Sequence, residues 1–471
     1  MKDDTPKYNN PFEFDMLLLE PVHEMMEKGI RVDQKKKREF QAAAIVEYET
    51  LQKELNEIVG RPFNVESKTL VPELLYNVLK LPTKTKTDKK TKKQKVTADE
   101  DALRKTMAEC KAKVDDLKTE EARSRYKLGY VICHYILKIR GVRKKMSSFL
   151  GLSFEKGRLA GECPLEDSDG RIRGTISVGG TETARFSHSK TLWETGINMA
   201  TEPRKIRPMF IPDDGYEFAE FDLERGESWV YAHLSEDPEM LRIHVHGLDF
   251  HAETASAIST AFGKPLDVDW IIENKDGPAY KIRYLGKRKN HAGSYRMGPV
   301  KEAEIINGEA EDTGITVTVA QTKKSNELWL NKYFMIPSWW KEIESQLERN
   351  RTLTTPYGRI HQFHGHWGEE LFRSATAYVP QSTSVDYINT GFLKVYYNFQ
   401  KKGAWGLSVL AQTHDSLLVQ YKAECRDEAI PEIRNALTSK LIIKKREFSI
   451  PVEPSYGMAW GDGKKWKGSN G

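Results

Sequence analysis

Tyr216-Glu217-Phe218-Ala219-Glu220-Phe221-Asp222-Leu223 alternates well enough to read as a strand. Its apolar residues face a core, and Asp222 emerges at its end. A second Asp stands in a similar place far downstream. Leu407-Ser408-Val409-Leu410-Ala411-Gln412 and Leu417-Leu418-Val419-Gln420-Tyr421 are also strand-like, and Thr413-His414-Asp415-Ser416 between them is a tight polar turn. Together these segments predict a hairpin with an Asp at its tip. Two acidic strand ends are a weak signal alone, because most such residues are merely exposed or capping. The segment between them strengthens it. Arg283, Lys287, His291 and Tyr295 fall at i, i+4, i+8 and i+12, and each step of four drifts only about 40° around an α-helix. They share one slowly winding face, with charge for a polyphosphate and flat rings for a base. Taken alone, this pattern also describes a surface helix with incidental charge.

Working outward, residues 34–59 read as a long helix. Ala42, Ile45, Val46, Tyr48, Leu51 and Leu55 recur at roughly helical spacing, and Gly60 ends it. Residues 98–149 read as further long, charged helix with Leu103, Met107, Val114 and Leu117 as its stripe. Between them, Leu81-Pro82 leads into Lys84, Lys86, Lys89, Lys90, Lys92, Lys93 and Lys95, opposed only by Asp88. This loop alone exceeds the net charge of the whole chain, +5. Such a run is either a solvated loop or a contact to a phosphate backbone. Thr175-Ile176-Ser177-Val178 reads as a short strand ending in Gly179-Gly180, and 227–241 returns to a helical pattern.

The chain has 471 residues, room for about three domains. A hydrophobic fraction of 39% and a charged fraction of 30% suit a large soluble protein with charged helix surfaces. The small net charge excludes a polybasic tail protein but not a nucleic-acid enzyme, whose basic and acidic faces cancel in the sum. No apolar run approaches the ~18 residues of a membrane helix. Met1-Lys2-Asp3-Asp4 is polar, unlike a secretory signal. Four scattered cysteines without a C-x-x-C pair argue against a zinc or disulfide framework and fit a reducing compartment. His244-x-His246-x4-His251 suggests zinc ligands on a strand, but no nearby Cys completes a set. Trp329, Trp339 and Trp340 read as helix-packing residues.

In their order and spacing these motifs resemble the family A DNA polymerases, the bacterial DNA polymerase I family. Asp222-Leu223-Glu224-Arg225-Gly226-Glu227, followed by Ala232-His233-Leu234-Ser235, resembles motif A. Arg283-x3-Lys287-x2-Asn290-x4-Tyr295 resembles motif B, the fingers helix, and Gln412-Thr413-His414-Asp415 resembles motif C. Thr181-x-Thr183-x-Arg185-x-Ser187, Asp249-Phe250-His251-x-Glu253-Thr254-Ala255, Tyr357-Gly358-Arg359 and Pro380-Gln381-Ser382-Thr383 agree as well. Met26-Glu27-Lys28-Gly29-Ile30-Arg31-Val32-Asp33 and Gly60-Arg61-Pro62-Phe63-Asn64 resemble the start of the polymerase region and its thumb. The resemblance spans nearly the whole chain, with a divergent, phage-like character. It implies an α+β right hand with an antiparallel palm sheet and helical thumb and fingers. The thumb is expected at 34–140, the fingers at 246–374, and the palm at 1–33, 141–245 and 375–471. The pattern is already under way at Met26, so no 3′–5′ exonuclease domain is expected in this chain.

The resemblance implies DNA-templated extension of a primer 3′-hydroxyl with dNTPs, releasing pyrophosphate. It assigns two Mg²⁺ ions, for which Mn²⁺ can substitute, to Asp222, Asp415 and the backbone carbonyl of Leu223. Arg283, Lys287 and His251 would hold the triphosphate, His291 would sit against the incoming sugar, and Tyr295 would stack near the templating base. Glu227 matches the glutamate that excludes a 2′-hydroxyl. Arg185, Asn198, Arg359, Gln381 and His414 match contacts to primer and template, and Lys89, Lys90, Lys92 and Lys93 fall at the thumb tip, against the DNA backbone. Three positions depart from the family pattern. His291 replaces Phe or Tyr, Arg296 puts a bulky charge near the template path where Gly is usual, and Ser416 replaces a Glu, so that either the two Asp carboxylates suffice or Glu224 assists electrostatically. Two other readings stand beside this one. A single-subunit RNA polymerase shares the two Asp residues and the Lys-x7-Tyr helix, but Glu227 and the thumb-like N-terminus oppose it. A catalytically weakened primer–template-binding protein would not need Asp222, Asp415, Arg283 and Lys287 together. The expected partners are primer–template DNA and dNTPs, with a separate exonuclease, a helicase-primase or a processivity factor as further candidates. A monomer is expected, in the cytoplasm (the bacterial host's if phage-encoded) and off the membrane.

Overall fold

A computed structural model describes residues 3–88, 91, 93–155 and 157–466. The main helices are α1 (Pro11–Lys28), α2 (Gln34–Val59), α3 (Glu100–Lys113), α4 (Glu120–Phe149), α5 (Gly226–Ser235), α6 (Pro238–Val245), α7 (Phe250–Ile258), α8 (Tyr280–Ser294), α9 (Pro299–Gly308), α10 (Val319–Lys332), α11 (Ile336–Asn350), α12 (Glu369–Asn398) and α13 (Arg426–Leu437). The central sheet contains β1 (Tyr216–Leu223), β2 (Ser408–Thr413), β3 (Ser416–Lys422), β4 (Val452–Gly457) and β5 (Lys464–Lys465).

The sheet runs β2-β3-β1-β4-β5, with every neighbouring pair antiparallel. Alternation along β1 explains its central place. Phe218 packs into one core, while Ala219, Phe221 and Leu223 enter another. Both faces are therefore committed, and a one-residue slip would exchange them. This register sets Asp222 opposite Ser416 on β3 and opposite Glu453 on β4. The predicted hairpin forms as β2–β3, with His414 at a φ of 56° in the turn.

Three cores surround the sheet. The first joins α2, α3 and α4 to Phe210 and one sheet face. The second lies between the other face, α1, α12 and α13. The third is helical and contains Phe250, Ile282, Trp329, Trp339 and Ile343. Trp329 and Trp339 are core residues, as their apolar bulk predicts.

The helix expected at 34–59 forms with those bounds. The Asp33 carboxylate accepts the Lys35 and Lys36 backbone N–H groups, and Gly60 closes it at a φ of 74°. Two expected helices are broken instead. The stretch 98–149 divides into α3, a 3₁₀ turn at Val114–Asp116, and α4. Leu117 is extended there, and the Thr119 side chain caps a new start by accepting the Ala122 N–H. The segment 227–241 divides at Asp237-Pro238. Asp237 accepts the Glu239 and Met240 N–H groups, and Pro238 takes a first-turn position where it needs no donor.

The lysine run forms an antiparallel hairpin of Thr85–Thr87 and Gln94–Val96. Lys84 pairs with Glu109 at 2.6 Å and Lys86 with Asp99 at 2.9 Å, whereas Lys93 and Lys95 are exposed. Lys89, Lys90 and Lys92 lie outside the described residues. Among the described residues no helix is long and apolar enough to cross a membrane.

Lys289 is fully buried on α8. It donates to Glu302 of α9 and to Asn326 of α10, each at 2.9 Å. Removing one partner leaves a buried charge unpaired, at a cost of about 3–5 kcal/mol. Lys289→Ala is therefore expected to lower stability by that amount in denaturant unfolding. Lys289→Met with Glu302→Leu is expected to recover most of the loss; a double variant as unstable as Lys289→Ala would contradict the ion-pair account.

Candidate active site

Asp222 ends β1 and Asp415 lies in the β2–β3 turn. The Leu223 N–H donates to the Asp415 carbonyl at 3.0 Å, which binds the two chain segments together at that end of the sheet. The carboxylates are close enough to disturb each other. Asp222 keeps an exposed edge, yet desolvation by the surrounding protein first, then repulsion from Asp415 and Glu220, pushes its carboxyl up to about 7, with Arg204 opposing. Burial also raises the Asp415 carboxyl. Crowded carboxylates with raised pKa values favour a counter-cation.

Ser416 supplies no charge here. Its hydroxyl lies 2.9 Å from that of Thr413 and 3.5 Å from Glu220. Glu224 is paired with Arg225, as Glu220 is with Arg207 at 3.3 Å and Glu453 with Lys465 at 2.8 Å. The additional negative charge at Asp222 comes from Glu220, two residues earlier on β1, and from Glu453 across the β1–β4 ladder. Sequence reading missed both. Strand alternation signals Glu220, whereas Glu453 depends on a pairing that only the fold reveals. Among the described residues no cluster of three or more His, Cys, Asp or Glu forms a ready-made metal cage. A hard cation that keeps waters and substrate oxygens needs only one or two carboxylates, and Asp222 and Asp415 fit that requirement. His244 lies on α6, not on a strand. It contacts the Ser228 hydroxyl at 2.9 Å and packs against Trp229 and Phe250, and burial pushes it down to about 3.

Beside the carboxylates, Arg185 donates to Glu227 in the first turn of α5 at 2.6 Å. Burial raises the Glu227 carboxyl, with Arg185 opposing. His414 Nε2 lies 3.2 Å from the Ala200 carbonyl, and Asn198 Oδ1 accepts the Ala200 N–H at 3.0 Å. Asn198 and His414 thus meet at the turn that carries Asp415, with the Arg185–Glu227 pair within electrostatic reach of that carboxylate. Gln381 is half-buried on α12. Arg359, expected on DNA, is committed within the protein. Its guanidinium contacts Asp386 at 2.8 Å and Asp15 at 2.8 Å and is largely buried. It braces α1 against α12 through the buried Asp386 and the partly exposed Asp15.

Helix α8 carries the basic face. Arg283 donates to Asp249 at 2.9 Å, and Asp249 itself caps α7 by accepting the His251 and Ala252 N–H groups. Burial, then the nearby Arg283 charge, pushes His251 down to about 4. Lys287 is exposed. Asn290 is the internal tie. Its Oδ1 accepts from Thr254 at 2.7 Å and from the Trp329 indole at 3.1 Å, and its Nδ2 donates to the Phe250 carbonyl at 3.2 Å. His291 and Tyr295 meet edge to face at 5.0 Å, with Tyr295 just past the helix end. Arg296 has a φ of 52°. It pairs with Glu344 and, at 3.1 Å, with Glu369, and it lies over the Trp340 and Phe372 rings. The charge expected near the template path is therefore paired with two carboxylates at the edge of the helical core.

The comparisons with known proteins agree with this arrangement. The sequence profile of DNA polymerase family A matches residues 34–466. The chain belongs to DNA polymerase family A. It is 23% identical over 435 residues to the thermostable DNA polymerase I of Thermus aquaticus, covering 91% of this chain and 45% of that protein. DNA polymerase I of Helicobacter pylori is 22% identical over 446 residues, covering 93% and 42%. The chain thus spans less than half the length of these relatives. The polymerase domain of Pol1 from M. smegmatis, solved with DNA primer-template and dNTP, superposes with a TM-score of 0.71 at 20% identity, covering 95% of this chain and 70% of that one. This likeness supports the α+β fold with its antiparallel sheet.

Two outcomes follow from this geometry. A carboxyl raised in the folded state binds its proton more tightly there, so its ionisation costs stability as pH rises from about 4, the unfolded value, to about 7. In metal-free buffer Asp222→Asn is expected to melt above the wild type at pH 8 and to lose that advantage near pH 4. Equal melting temperatures at both pH values would contradict the repulsion. Arg296→Ala is expected to cost about 2 kcal/mol through lost ion-pair and ring contacts. Arg296→Gly is expected to cost about 1 kcal/mol less than Arg296→Ala in the same unfolding assay, because glycine tolerates the left-handed backbone.

Proposed function

We propose that this chain is a DNA-templated DNA polymerase that joins a primer 3′-hydroxyl to the α-phosphorus of a dNTP and expels pyrophosphate. The observation that carries this reading is the convergence of Asp222 and Asp415 at one end of the sheet in a chain of family A. Two Mg²⁺ ions held by Asp222, Asp415 and the Leu223 carbonyl would supply the positive charge that stabilises the attacking and leaving oxygens. Mn²⁺ would serve in their place. Arg283, Lys287 and His251 bind the triphosphate, and Arg283 exchanges Asp249 for phosphate as it does so. The exchange places a guanidinium where negative charge develops on the leaving group. His291 borders the sugar, and Tyr295 positions the templating base. Glu227 closes the space a 2′-hydroxyl would need, while Arg185, Asn198, Gln381 and His414 touch primer and template. Contacts of this kind check shape rather than sequence, as copying requires.

In this reading the first core belongs to a thumb at 34–140, the third to fingers at 246–374, and the sheet with the second core to the palm. Lys93 of the described hairpin, with Lys89, Lys90 and Lys92, provides backbone contacts that weaken with salt. The chain works as a monomer in the cytoplasm.

Primer extension with dNTPs and rNTPs in parallel tests the proposal. Extension with dNTPs is expected, and extension with rNTPs alone would contradict it. Asp415→Ala is expected to slow synthesis by about 10³-fold or more while leaving primer–template affinity within about threefold; undiminished synthesis would remove the carboxylate pair from the chemistry. Glu227→Ala is expected to raise ribonucleotide use relative to deoxyribonucleotide by about tenfold, a difference of about 1.4 kcal/mol between the two transition states. An unchanged ratio would take Glu227 out of sugar selection.

A further inference from the structure

The connection between the strand Ser187–Ser189 and Asn198 holds out two adjacent apolar side chains. Leu192 is 96% exposed and Trp193 84%, the two most exposed large apolar residues among those described. The turn beneath them is built rather than loose. The Thr191 N–H donates to the Thr195 carbonyl at 2.9 Å, and the Glu194 N–H to the Thr191 carbonyl at 3.1 Å. The two threonine hydroxyls lie 2.7 Å apart, and that of Thr195 reaches Asp167 at 3.2 Å. The Gly196 N–H donates to the Leu165 carbonyl at 2.7 Å. Gly196 has a φ of 84°, and a Cβ there would fall 1.8 Å from the Arg173 carbonyl oxygen, so only glycine lets the returning chain press so close. Scattered exposed apolar residues need no explanation. A leucine and a tryptophan side by side on a braced turn present a surface that only a partner can cover.

Both ends of the turn lead to the tip of the β2–β3 hairpin. On the entering side, His188 is within electrostatic reach of His414. On the leaving side, Asn198 holds Ala200, whose carbonyl lies 3.2 Å from His414 Nε2. The dipeptide therefore extends the surface assigned above to primer and template. Its exposed charged neighbours, Lys190 and Glu194, cancel, so net charge does not draw it to phosphate. What it offers is an aromatic face and a branched apolar side chain, which suit sugar and base surfaces in a groove.

We propose that Leu192 and Trp193 form an apolar prong that packs against the primer–template duplex behind the primer terminus and holds it without reading its sequence. The inference rests on the polymerase reading above, and its test separates the two. Binding of a fluorescent primer–template is measured across a salt series for wild type, Trp193→Phe, and the double variant Leu192→Ala with Trp193→Ala. Loss of an aromatic stacking contact weakens binding by about tenfold, and an apolar contact releases no counterions. The double variant is therefore expected to bind about tenfold more weakly at every salt concentration, with the slope unchanged and with shorter products per binding event. Trp193→Phe is expected to retain most of the affinity. Both side chains are exposed, so the variants are expected to melt like the wild type. A photo-crosslinking residue at position 193 is expected to capture the duplex part of the primer–template. Unchanged affinity and product length in the double variant would overturn the prong while leaving the polymerase reading intact, provided the wild type binds and extends. Capture of a second copy of the chain instead of DNA would also overturn it, and a wild type that does not bind primer–template would remove both.

Discussion

Two carboxylates that repel each other are held together by a sheet that cannot slide. Desolvation first, and then repulsion from Asp415, makes a charged Asp222 unfavourable and raises its carboxyl. The arrangement persists because β1 buries different residues on its two faces. A slip of one residue would expose Phe221 and Leu223 and turn Asp222 away from the β2–β3 turn. The surrounding cores thus offset an arrangement that a bound cation would relieve. Glu220 and Glu453 deepen the same negative potential from two other positions on the sheet.

Helix α8, which carries the basic face, is fixed with comparable redundancy. Asn290 links α8 to α7 and α10, the buried Lys289–Glu302 pair links it to α9, and Arg296 fastens the turn after Tyr295 to α11 and α12. Only the outward groups remain for ligands. Arg283 is held by Asp249 and Arg185 by Glu227, both partly exposed pairs. Partly exposed pairs of this kind cost little to exchange. The inner face of α8 is thus locked by buried partners, while its outer face carries the partly exposed Arg283 and the exposed Lys287.

Much of this was legible in the sequence. Alternation in 216–223 and the polar turn at 413–416 located both Asp residues, and the spacing of four located the basic helix face. Asp33 and Gly60 marked the ends of α2. What escaped was set by local competition or by long-range pairing. Thr119 and Asp237-Pro238 start new helices inside stretches whose apolar spacing runs on, since a cap acts through one hydrogen bond that periodicity does not register. Arg359 matched a DNA contact, but Asp15 and Asp386 approach it from distant parts of the chain. Glu453 reaches Asp222 only because β4 pairs with β1. The position of Arg296 was noticed, and its two carboxylate partners were invisible until α11 and α12 were placed.

In the reading proposed above, Asp222 and Asp415 hold divalent cations between them. Anomalous diffraction from crystals soaked in Mn²⁺ tests it most directly. A manganese peak is expected within coordination distance of both carboxylates and is expected to be lost in crystals of Asp415→Asn. Full manganese occupancy elsewhere, with none between Asp222 and Asp415, would contradict it.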